Sequence, residues 1–424
     1  MVTVRSLRTG IKYKETPIGK IPVDWEVVKL QDVVKQFYNG GTPATKVREY
    51  WDGKLPWITG ADFENKKLGR VRKYITDLGV KNSATNVIPK GNLLIVTRTG
   101  VGKIAITPFD VAISQDITGI IADSQKTTPG FLYWYFNYNE NKLRSAIQGT
   151  SINGILREDL TSMLIGLPPL KEQKNVAQIL TTLEESIEQT DKIIEKTNGL
   201  KKGLVQILLT RGIGHKKFKK SALGKIPKEW GVGKLSSIVA NFYNGGTPDT
   251  KEKEYWDGEI PWITGADFVN QKVGKIRRYI TGEGVKSSAT NVIPKGNLLI
   301  VTRTGVGKLA LAPINVAISQ DITGVITDAK KMRPDFLYWF LYSKEKQLKS
   351  LMQGTSINGV LREDLAALPI CIPSVEEQEN ISRMLFTIDR QIDSEIDNKQ
   401  RLEFQKKALM QVLLMGKVRV QLRQ

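Results

Sequence analysis

A long internal repeat constrains this chain more than any other feature of its sequence. The 21 residues Ser83–Lys103 return without a change at Ser288–Lys308, 205 positions later, and no insertion or deletion breaks this offset before Leu209 and Leu414. Solenoid repeats are about 20–50 residues long. Each copy is therefore expected to form a whole domain together with the segment that follows it.

The charge of the chain points to a polyanionic partner. Lys and Arg number 63 against 43 Asp and Glu, which gives a net charge of +20 at pH 7. Such an excess most often serves nucleic-acid binding, although a basic surface that only aids solubility is the competing explanation. We expect a cytoplasmic protein, because no signal peptide and no apolar run of about 20 residues is found.

One cysteine, Cys371, and one histidine, His215, exclude several kinds of site within a single chain. A disulfide needs two cysteines, and a zinc site built from Cys and His needs several such ligands. Cys371 stands in an apolar stretch where the first copy has Gly166, which favours buried packing over nucleophilic chemistry. His215 is expected in a linker, without a catalytic role.

The hydrophobic pattern changes after Pro169 and again after Pro373. Before these points, short apolar runs alternate with turn sequences, which predicts compact α+β domains. After them, apolar residues recur at intervals of three, four and seven, which predicts two long helices. Ser374 followed by Glu377 is a capping-box pattern at the second helix start. We expect the two helices to pair as an intramolecular antiparallel coiled coil.

Two catalytic interpretations fail on spacing. Thr99–Lys103 resembles a phosphate-binding loop, but Thr97 stands where the first glycine is needed and Ile104 where Ser or Thr is needed. Nuclease chemistry needs clustered acids beside a lysine, and each copy lacks half of any such cluster. We expect neither a catalytic residue, a metal site nor a bound cofactor.

The chain resembles the specificity subunits of type I restriction–modification systems. The resemblance covers essentially the whole chain and depends on Gly-Lys-Ile-Pro-x-x-Trp at residues 19–25 and 224–230, Leu167–Gln173 before the first helix, and Leu208–His215 after it. It implies two target recognition domains that each bind one half of a split double-stranded DNA site. It also implies that two methyltransferase subunits dock on the conserved helices, that restriction subunits can join, and that catalysis and S-adenosylmethionine belong to those partners.

The expected fold is α+β, with two repeated globular α/β target recognition domains, two long helices and pseudo-two-fold symmetry. The predicted boundaries are an N-terminal segment (1–20), target recognition domain 1 (21–168), the central conserved helix (169–212), a linker (213–225), target recognition domain 2 (226–373), the C-terminal conserved helix (374–415) and a tail (416–424).

Polar residues in the duplicated turns are the candidates for DNA contact, because Arg suits guanine, Asn and Gln suit adenine, and Lys suits phosphate. We assign base contacts to Arg98, Gln148, Ser151 and Asn153, and to their equivalents Arg303, Gln353, Ser356 and Asn358. We assign phosphate contacts to Arg70, Lys90 and Lys103, and to Lys275, Lys295 and Lys308. Arg157 and Arg362 precede acidic residues and are expected to form structural ion pairs.

Identical candidate residues in both copies predict two near-identical, inverted half-sites, which together form an interrupted palindrome. Two other classes of protein stay open from the sequence. One is a free-standing nucleic-acid enzyme that uses the Gly-Val-Gly-Lys turn, and the other is a basic coiled-coil scaffold that binds without sequence preference.

Overall fold

The computed structural model describes residues 11–64, 66–145, 147–148, 154–353 and 359–420, with no side chains described at 147–148 and 352–353. The chain divides into two units. Unit 1 comprises Met1–Asp191 and Asp397–Gln424, and unit 2 comprises Lys192–Ile396. Each division falls inside a long helix, so each unit contains one repeated domain and parts of both helices.

Unit 1 contains sixteen described strands and four short helices before the first long helix. The strands are β1 (Tyr13–Lys14), β2 (Ile21–Pro22), β3 (Glu26–Lys29), β4 (Val34–Asn39), β5 (Trp51–Ile58), β6 (Phe63–Glu64), β7 (Lys67–Leu68), β8 (Lys73–Ile75), β9 (Val87–Ile88), β10 (Leu93–Val96), β11 (Ile104–Ile106), β12 (Val111–Ile113), β13 (Ile117–Ala122), β14 (Ile147–Gln148), β15 (Gly154–Ile155) and β16 (Leu164–Leu167). The helices are α1 (Asp77–Lys81), α2 (Pro129–Tyr138), α3 (Glu140–Ser145) and α4 (Arg157–Ser162), and the long helix α5 (Leu170–Arg211) follows.

Two four-stranded sheets form the centre of the unit 1 domain, in the orders β11-β10-β13-β4 and β8-β5-β12-β9. The β5–β12 pair is parallel and the other pairs in these sheets are antiparallel. All four residues of β10 are buried. Leu93 and Ile95 pack in a core with α2, whereas Leu94 and Val96 pack against the second sheet. Since alternate residues of a strand point to opposite faces, an unbroken apolar strand must be covered on both sides.

Unit 2 repeats this architecture. Its strands are β17 (Phe218–Ser221), β18 (Gly224–Pro227), β19 (Gly231–Lys234), β20 (Val239–Asn244), β21 (Trp256–Ile263), β22 (Phe268–Val269), β23 (Lys272–Val273), β24 (Arg278–Ile280), β25 (Asn291–Ile293), β26 (Leu298–Val301), β27 (Leu309–Leu311), β28 (Val316–Ile318), β29 (Ile322–Thr327), β30 (Met352–Gln353), β31 (Gly359–Val360) and β32 (Pro369–Ile372). Its helices are α6 (Gly282–Lys286), α7 (Pro334–Ser343), α8 (Glu345–Ser350) and α9 (Arg362–Ala366), followed by the long helix α10 (Val375–Leu413). Its four-stranded sheets have the equivalent orders, β20-β29-β26-β27 and β24-β21-β28-β25.

The start of each long helix is anchored by one glutamine. Gln173 accepts a hydrogen bond from the Thr127 hydroxyl at 2.8 Å and donates to the Pro168 carbonyl at 2.9 Å. Gln378 donates in the same way to the Pro373 carbonyl at 3.0 Å. Ser374 accepts from the Glu377 amide at 3.2 Å, as expected for the cap of the second helix.

Segments of α5 and α10 pair within each unit. In unit 1, Glu184 binds Lys406, and Lys399 Nζ lies 2.7 Å from Asp191 Oδ1. Residue numbers rise along α5 as they fall along α10, so these segments are antiparallel. In unit 2, Lys201 Nζ lies 2.5 Å from Asp389 Oδ1. The predicted α+β fold, with two repeated domains and paired long helices, is confirmed.

Candidate nucleic-acid interface

Arg98 lies on a tight turn that is built by glycine. The turn joins β10 to β11, and the amides of Thr97 and Arg98 both donate to the Asp116 carbonyl, at 2.8 and 3.3 Å. Gly100 and Gly102 have φ angles of +88° and +93°, a left-handed conformation that residues with a Cβ rarely adopt. The Arg98 side chain is exposed, as is that of Arg303 on the equivalent turn.

Lys103 ends the same turn but points into the protein. Its Nζ donates to the carbonyls of Gly60 and Phe63 at 2.8 and 3.4 Å. Lys308 makes the equivalent bonds to Gly265 and Phe268 at 3.0 and 3.5 Å. The two ammonium groups hold their turns against the 59–63 loop and the equivalent 264–268 loop. The phosphate contacts expected of both lysines stay a prediction.

Arg70 lies on a basic segment that borders the same 59–63 loop, and its side chain is exposed. Two residues on, Arg72 Nε donates to Asp62 Oδ1 at 2.6 Å and Arg72 Nη2 donates to Thr59 Oγ1 at 3.0 Å. Burial would raise the pKa of Asp62, but the hydrogen bonds from Arg72 and Thr59 outweigh it and lower that pKa. The loop therefore brings the basic segment and the Arg98 turn to one side of the domain.

The equivalent basic segment of unit 2 is built in the same way. Lys275 is exposed. Arg277 Nε donates to the buried Asp267 at 2.5 Å, and its Nη2 donates to Thr264 Oγ1 at 3.3 Å. Asp62 and Asp267 thus cap their loops and hold an arginine.

Lys90 and Lys295 are exposed but do not join this group. Lys90 lies in the turn before β10, whereas Arg98 lies in the turn after it, so the whole length of the strand separates them. The Lys90 amide donates to Asp110 Oδ1 at 2.8 Å, and the Lys295 amide donates to Asn315 Oδ1 at 2.9 Å. Lys90 and Arg98 are close in the sequence, but the fold places them at opposite ends of β10.

The second predicted recognition segment is adjacent to Arg98. The amide of Ile155 donates to the Thr97 carbonyl at 2.8 Å, and β15 pairs with β14, which contains Gln148. The amide of Val360 makes the equivalent bond to Thr302 at 2.7 Å. Ser151, Asn153, Ser356 and Asn358 lie outside the described residues, as do the side chains of Gln148 and Gln353.

A cleft of about 630 Å³ opens beside Arg98. The polar residues in its lining include Asn39, Asn86, Gln115 and Arg157. Sequence reasoning did not select Asn39, Asn86 or Gln115. The available signal was their position in repeated segments, since Asn86 lies within the 21-residue repeat and Gln115 within Ser-Gln-Asp-Ile-Thr-Gly, which is also present in both copies.

Arg157 lies at the cleft wall against Phe37. Its Nη2 donates to the Phe37 carbonyl at 3.2 Å, and its guanidinium carbon lies 5.9 Å from the centre of the Phe37 ring. Arg362 contacts Phe242 in the same way, at 3.3 and 5.4 Å. These contacts with a carbonyl and a ring hold the two arginines in place. The ion pairs with neighbouring acids that the sequence predicts stay a prediction.

The cleft lining is nearly identical in the two copies. Fourteen residues line the unit 1 cleft, and at the positions 205 residues later thirteen are the same, Val360 in place of Ile155 being the exception. Ile155 is a buried apolar residue, so the polar groups of the lining are unchanged. The two units therefore present the same chemistry at this place.

Cys371 and His215 lie outside this region and have structural roles. Burial raises the pKa of the Cys371 thiol to about 11, which keeps it protonated and unreactive. His215 is held between Glu377 and Glu229, at 2.9 and 3.2 Å. Across the described ranges, no group of three or more His, Cys, Asp or Glu side chains is arranged to hold a metal ion. Over the same part of the chain, no helix is both long and apolar enough to cross a membrane.

Comparison with known proteins agrees with this architecture. The type I restriction enzyme MjaVIII specificity subunit of Methanocaldococcus jannaschii is 28% identical over 99% of this chain and 99% of its own length. The MjaIX specificity subunit of the same organism is 25% identical over 99% of this chain and its whole length. The crystal structure of a type I restriction–modification S subunit from M. genitalium superposes with a TM-score of 0.63 at 15% identity, covering 97% of this chain and 99% of that one.

The model of the type I restriction modification DNA specificity domain matches residues 22–198 and again residues 227–403. These two matches account for most of the chain and coincide with its two copies. The chain belongs to the specificity subunits of type I restriction–modification systems.

Proposed function

We propose that each unit binds one half of a bipartite double-stranded DNA site, and that the two half-sites are near-identical and inverted. The observation that supports this is the cleft beside Arg98, whose polar lining residues are unchanged at the positions 205 residues later. Identical side chains in identical folds select identical bases. The complete site is then an interrupted palindrome.

Base contacts are proposed for Arg98, which is exposed beside the cleft, and for Arg303, which is exposed on the equivalent turn. The predicted base contacts of Gln148, Ser151 and Asn153, and of their equivalents, stay part of the proposal because β14 lies next to the Arg98 turn. Phosphate contacts are proposed for Arg70 and Lys275 on the neighbouring basic segments. Lys90 and Lys295 would reach only phosphates farther along the duplex.

Type I specificity subunits are non-catalytic, and other subunits of these complexes perform the chemistry. We propose that two methyltransferase subunits, which bind S-adenosylmethionine, dock on α5 and α10, with restriction subunits added where the system has them. The net charge of +20 supports a complex assembled on DNA. We also propose a cytoplasmic location, because a subunit that binds cellular DNA must have access to it.

The test is selection of bound sequences from a random double-stranded DNA library by the full chain and by its Arg98→Ala and Arg303→Ala variants. Each substitution should cost about 1–3 kcal/mol at one base pair. Each should relax the preference in one half-site only, and the two effects should be equal. Lys90→Ala is the control, which should leave base preference unchanged.

Three results would contradict parts of the proposal. Uniform weakening on all sequences would make the two arginines phosphate contacts. Unequal effects would disprove equivalent half-sites. Selection of no common sequence by the unmodified chain would favour a basic scaffold that binds without sequence preference.

A further inference from the structure

Asn86 has an amide whose orientation is fixed by the fold. Its Nδ2 donates to the Asn39 carbonyl at 2.7 Å, and Asn291 Nδ2 donates to the Asn244 carbonyl at the same distance and to the Ala289 carbonyl at 3.4 Å. A backbone carbonyl can only accept, so the amide nitrogen, and not the oxygen, must face it. The order of donor and acceptor on the remaining edge of Asn86 is therefore set before any ligand binds.

The backbone around Asn86 is also rigid. The Asn86 carbonyl accepts from the Ile113 amide at 3.1 Å, and the preceding hydroxyl, of Thr85, donates to the Ile113 carbonyl at 2.8 Å. Thr85 is buried and Asn86 is half-buried at the cleft. The side chain thus loses little conformational entropy when a ligand binds, which favours selective recognition.

One edge of the amide stays available to a ligand. Within the part of the chain that the structure describes, no hydrogen bond reaches Asn86 Oδ1, and Nδ2 carries a second hydrogen besides the one given to Asn39. Both Asn86 and Arg98 line the cleft. An acceptor beside a donor matches the major-groove edge of adenine, whose N6 amino group donates and whose N7 accepts.

We propose that Asn86 and Asn291 are further specificity-determining residues, each of which recognises an adenine in its half-site. This inference depends on the proposed function, because it assigns a base to the same cleft. The adenines occupy mirrored positions in the two half-sites, since the asparagine, the backbone carbonyl that accepts from it at 2.7 Å and the polar residues at the lining positions are the same in both units. The backbone hydrogen bond selects adenine by preventing the amide from rotating to the opposite donor–acceptor order.

The experiment compares the bases selected from a random double-stranded DNA library by the full chain and by Asn86→Ala and Asn291→Ala variants. Each variant should lose the preference for adenine at one position of one half-site. The loss should be about 5- to 150-fold, which corresponds to the usual discrimination of about 1–3 kcal/mol for such a contact. The unmutated half-site reports within the same molecule that the other unit is folded, and preferences retained at the remaining positions of the mutated half-site report that the mutated unit is folded.

Asn92→Ala is the matched control. Asn92 lies in the same repeat and also donates its amide to a carbonyl, that of Pro89 at 3.0 Å, but it lies before β10, at the end away from Arg98. Asn92→Ala should leave the selected bases unchanged. If Asn86→Ala and Asn92→Ala lowered the affinity for all DNA sequences by the same amount, Asn86 would have only a structural role. That result would overturn the inference.

The outcomes separate this inference from the proposed function. If the unmodified chain selects an interrupted site and Asn86→Ala selects the same bases, only the role of Asn86 is disproved. If Asn86→Ala loses the preference for a base other than adenine, the assignment of adenine is disproved. If the unmodified chain selects no site, the proposed function itself fails.

Discussion

Replacing Asp389 by Asn should destabilise unit 2 strongly, because this buried carboxylate on α10 binds Lys201 of α5 and Lys272 of β23. Lys201 Nζ lies 2.5 Å from Oδ1, and Lys272 Nζ lies 2.8 Å from Oδ2. Burial would raise the pKa of Asp389, but the hydrogen bonds from both lysines outweigh it and lower that pKa. The carboxylate is therefore charged at neutral pH.

The expected loss of stability depends on the Lys201 ammonium group, which Asp389→Asn leaves without a charged partner. The Lys201 side chain is only 14% exposed, and its Nζ lies 5.2 Å from the ring centres of Trp339 and Tyr342. Removing one partner of a buried ion pair costs about 3–5 kcal/mol. The aromatic faces and the remaining exposure offset part of this, so we expect a loss of about 2–4 kcal/mol in the free energy of unfolding of unit 2.

Glu184→Gln is the matched variant, because Glu184 lies 205 positions before Asp389 and binds Lys406 in the same way. These two side chains are 19% and 24% exposed, so solvent screening should reduce the cost to about 1 kcal/mol. A Lys201→Met and Asp389→Leu double variant should restore stability, since it leaves no buried charge unpaired.

The assay is urea denaturation, with hydrogen exchange of the α5 and α10 amides to locate the effect in the chain. Asp389→Asn should increase exchange within Lys192–Ile396, and Glu184→Gln should act within unit 1. The reasoning would be refuted if Asp389→Asn cost no more than Glu184→Gln, or if the double variant were as unstable as the single one.

Three further outcomes are expected. DNA affinity should fall by about 0.9 log units per log unit of salt for each phosphate contacted. Arg70→Gln should reduce the slope of log affinity against log salt concentration by about one. An unchanged slope would show that Arg70 does not contact a phosphate. Because the folded pKa of Asp62 is lowered, its stabilising effect is present above the usual carboxyl pKa of about 4 and is lost as pH falls below it. Arg72→Gln should therefore move acid unfolding, followed by circular dichroism, to higher pH; an unchanged midpoint would contradict this. Inserting seven residues both after Asp191 and after Ile396 lengthens each helix by about 10.5 Å and leaves the ion pairs of each unit intact. The preferred spacer between half-sites should grow by about 3 base pairs of 3.4 Å each, and an unchanged spacer would show that the helices do not set it.

Part of the candidate site could be found from the sequence because it depends on local patterns. Gly-Val-Gly after an apolar strand predicts a tight turn, and the turn does present Arg98 to solvent. The same pattern cannot tell where a long side chain on that turn will end. Lys103 follows Arg98 by five residues, yet it turns inward because the carbonyls of Gly60 and Phe63, some 40 residues earlier, lie within its reach.

Residues that converge from distant segments were beyond sequence reasoning. Asn86, Arg98 and Gln115 meet at one cleft only because strands β9, β10, β12 and β13 bring their ends together. The hydrogen bond from Asn86 to the Asn39 carbonyl spans 47 positions, and no local period marks it. A single asparagine in a repeat could equally be a turn residue.

The sequence by itself determined that this protein consists of two equal domains, each followed by a long amphipathic helix, because repeats and hydrophobic periods are properties of consecutive residues. Only the tertiary structure decided how equivalent residues differ. Trp134 Nε1 donates to Thr181 at 3.0 Å, whereas the equivalent Trp339 Nε1 is buried without a partner among the described residues and packs against Phe386. A hydrogen bond depends on which atom the fold places opposite the donor, and that is settled by packing between elements remote in the chain.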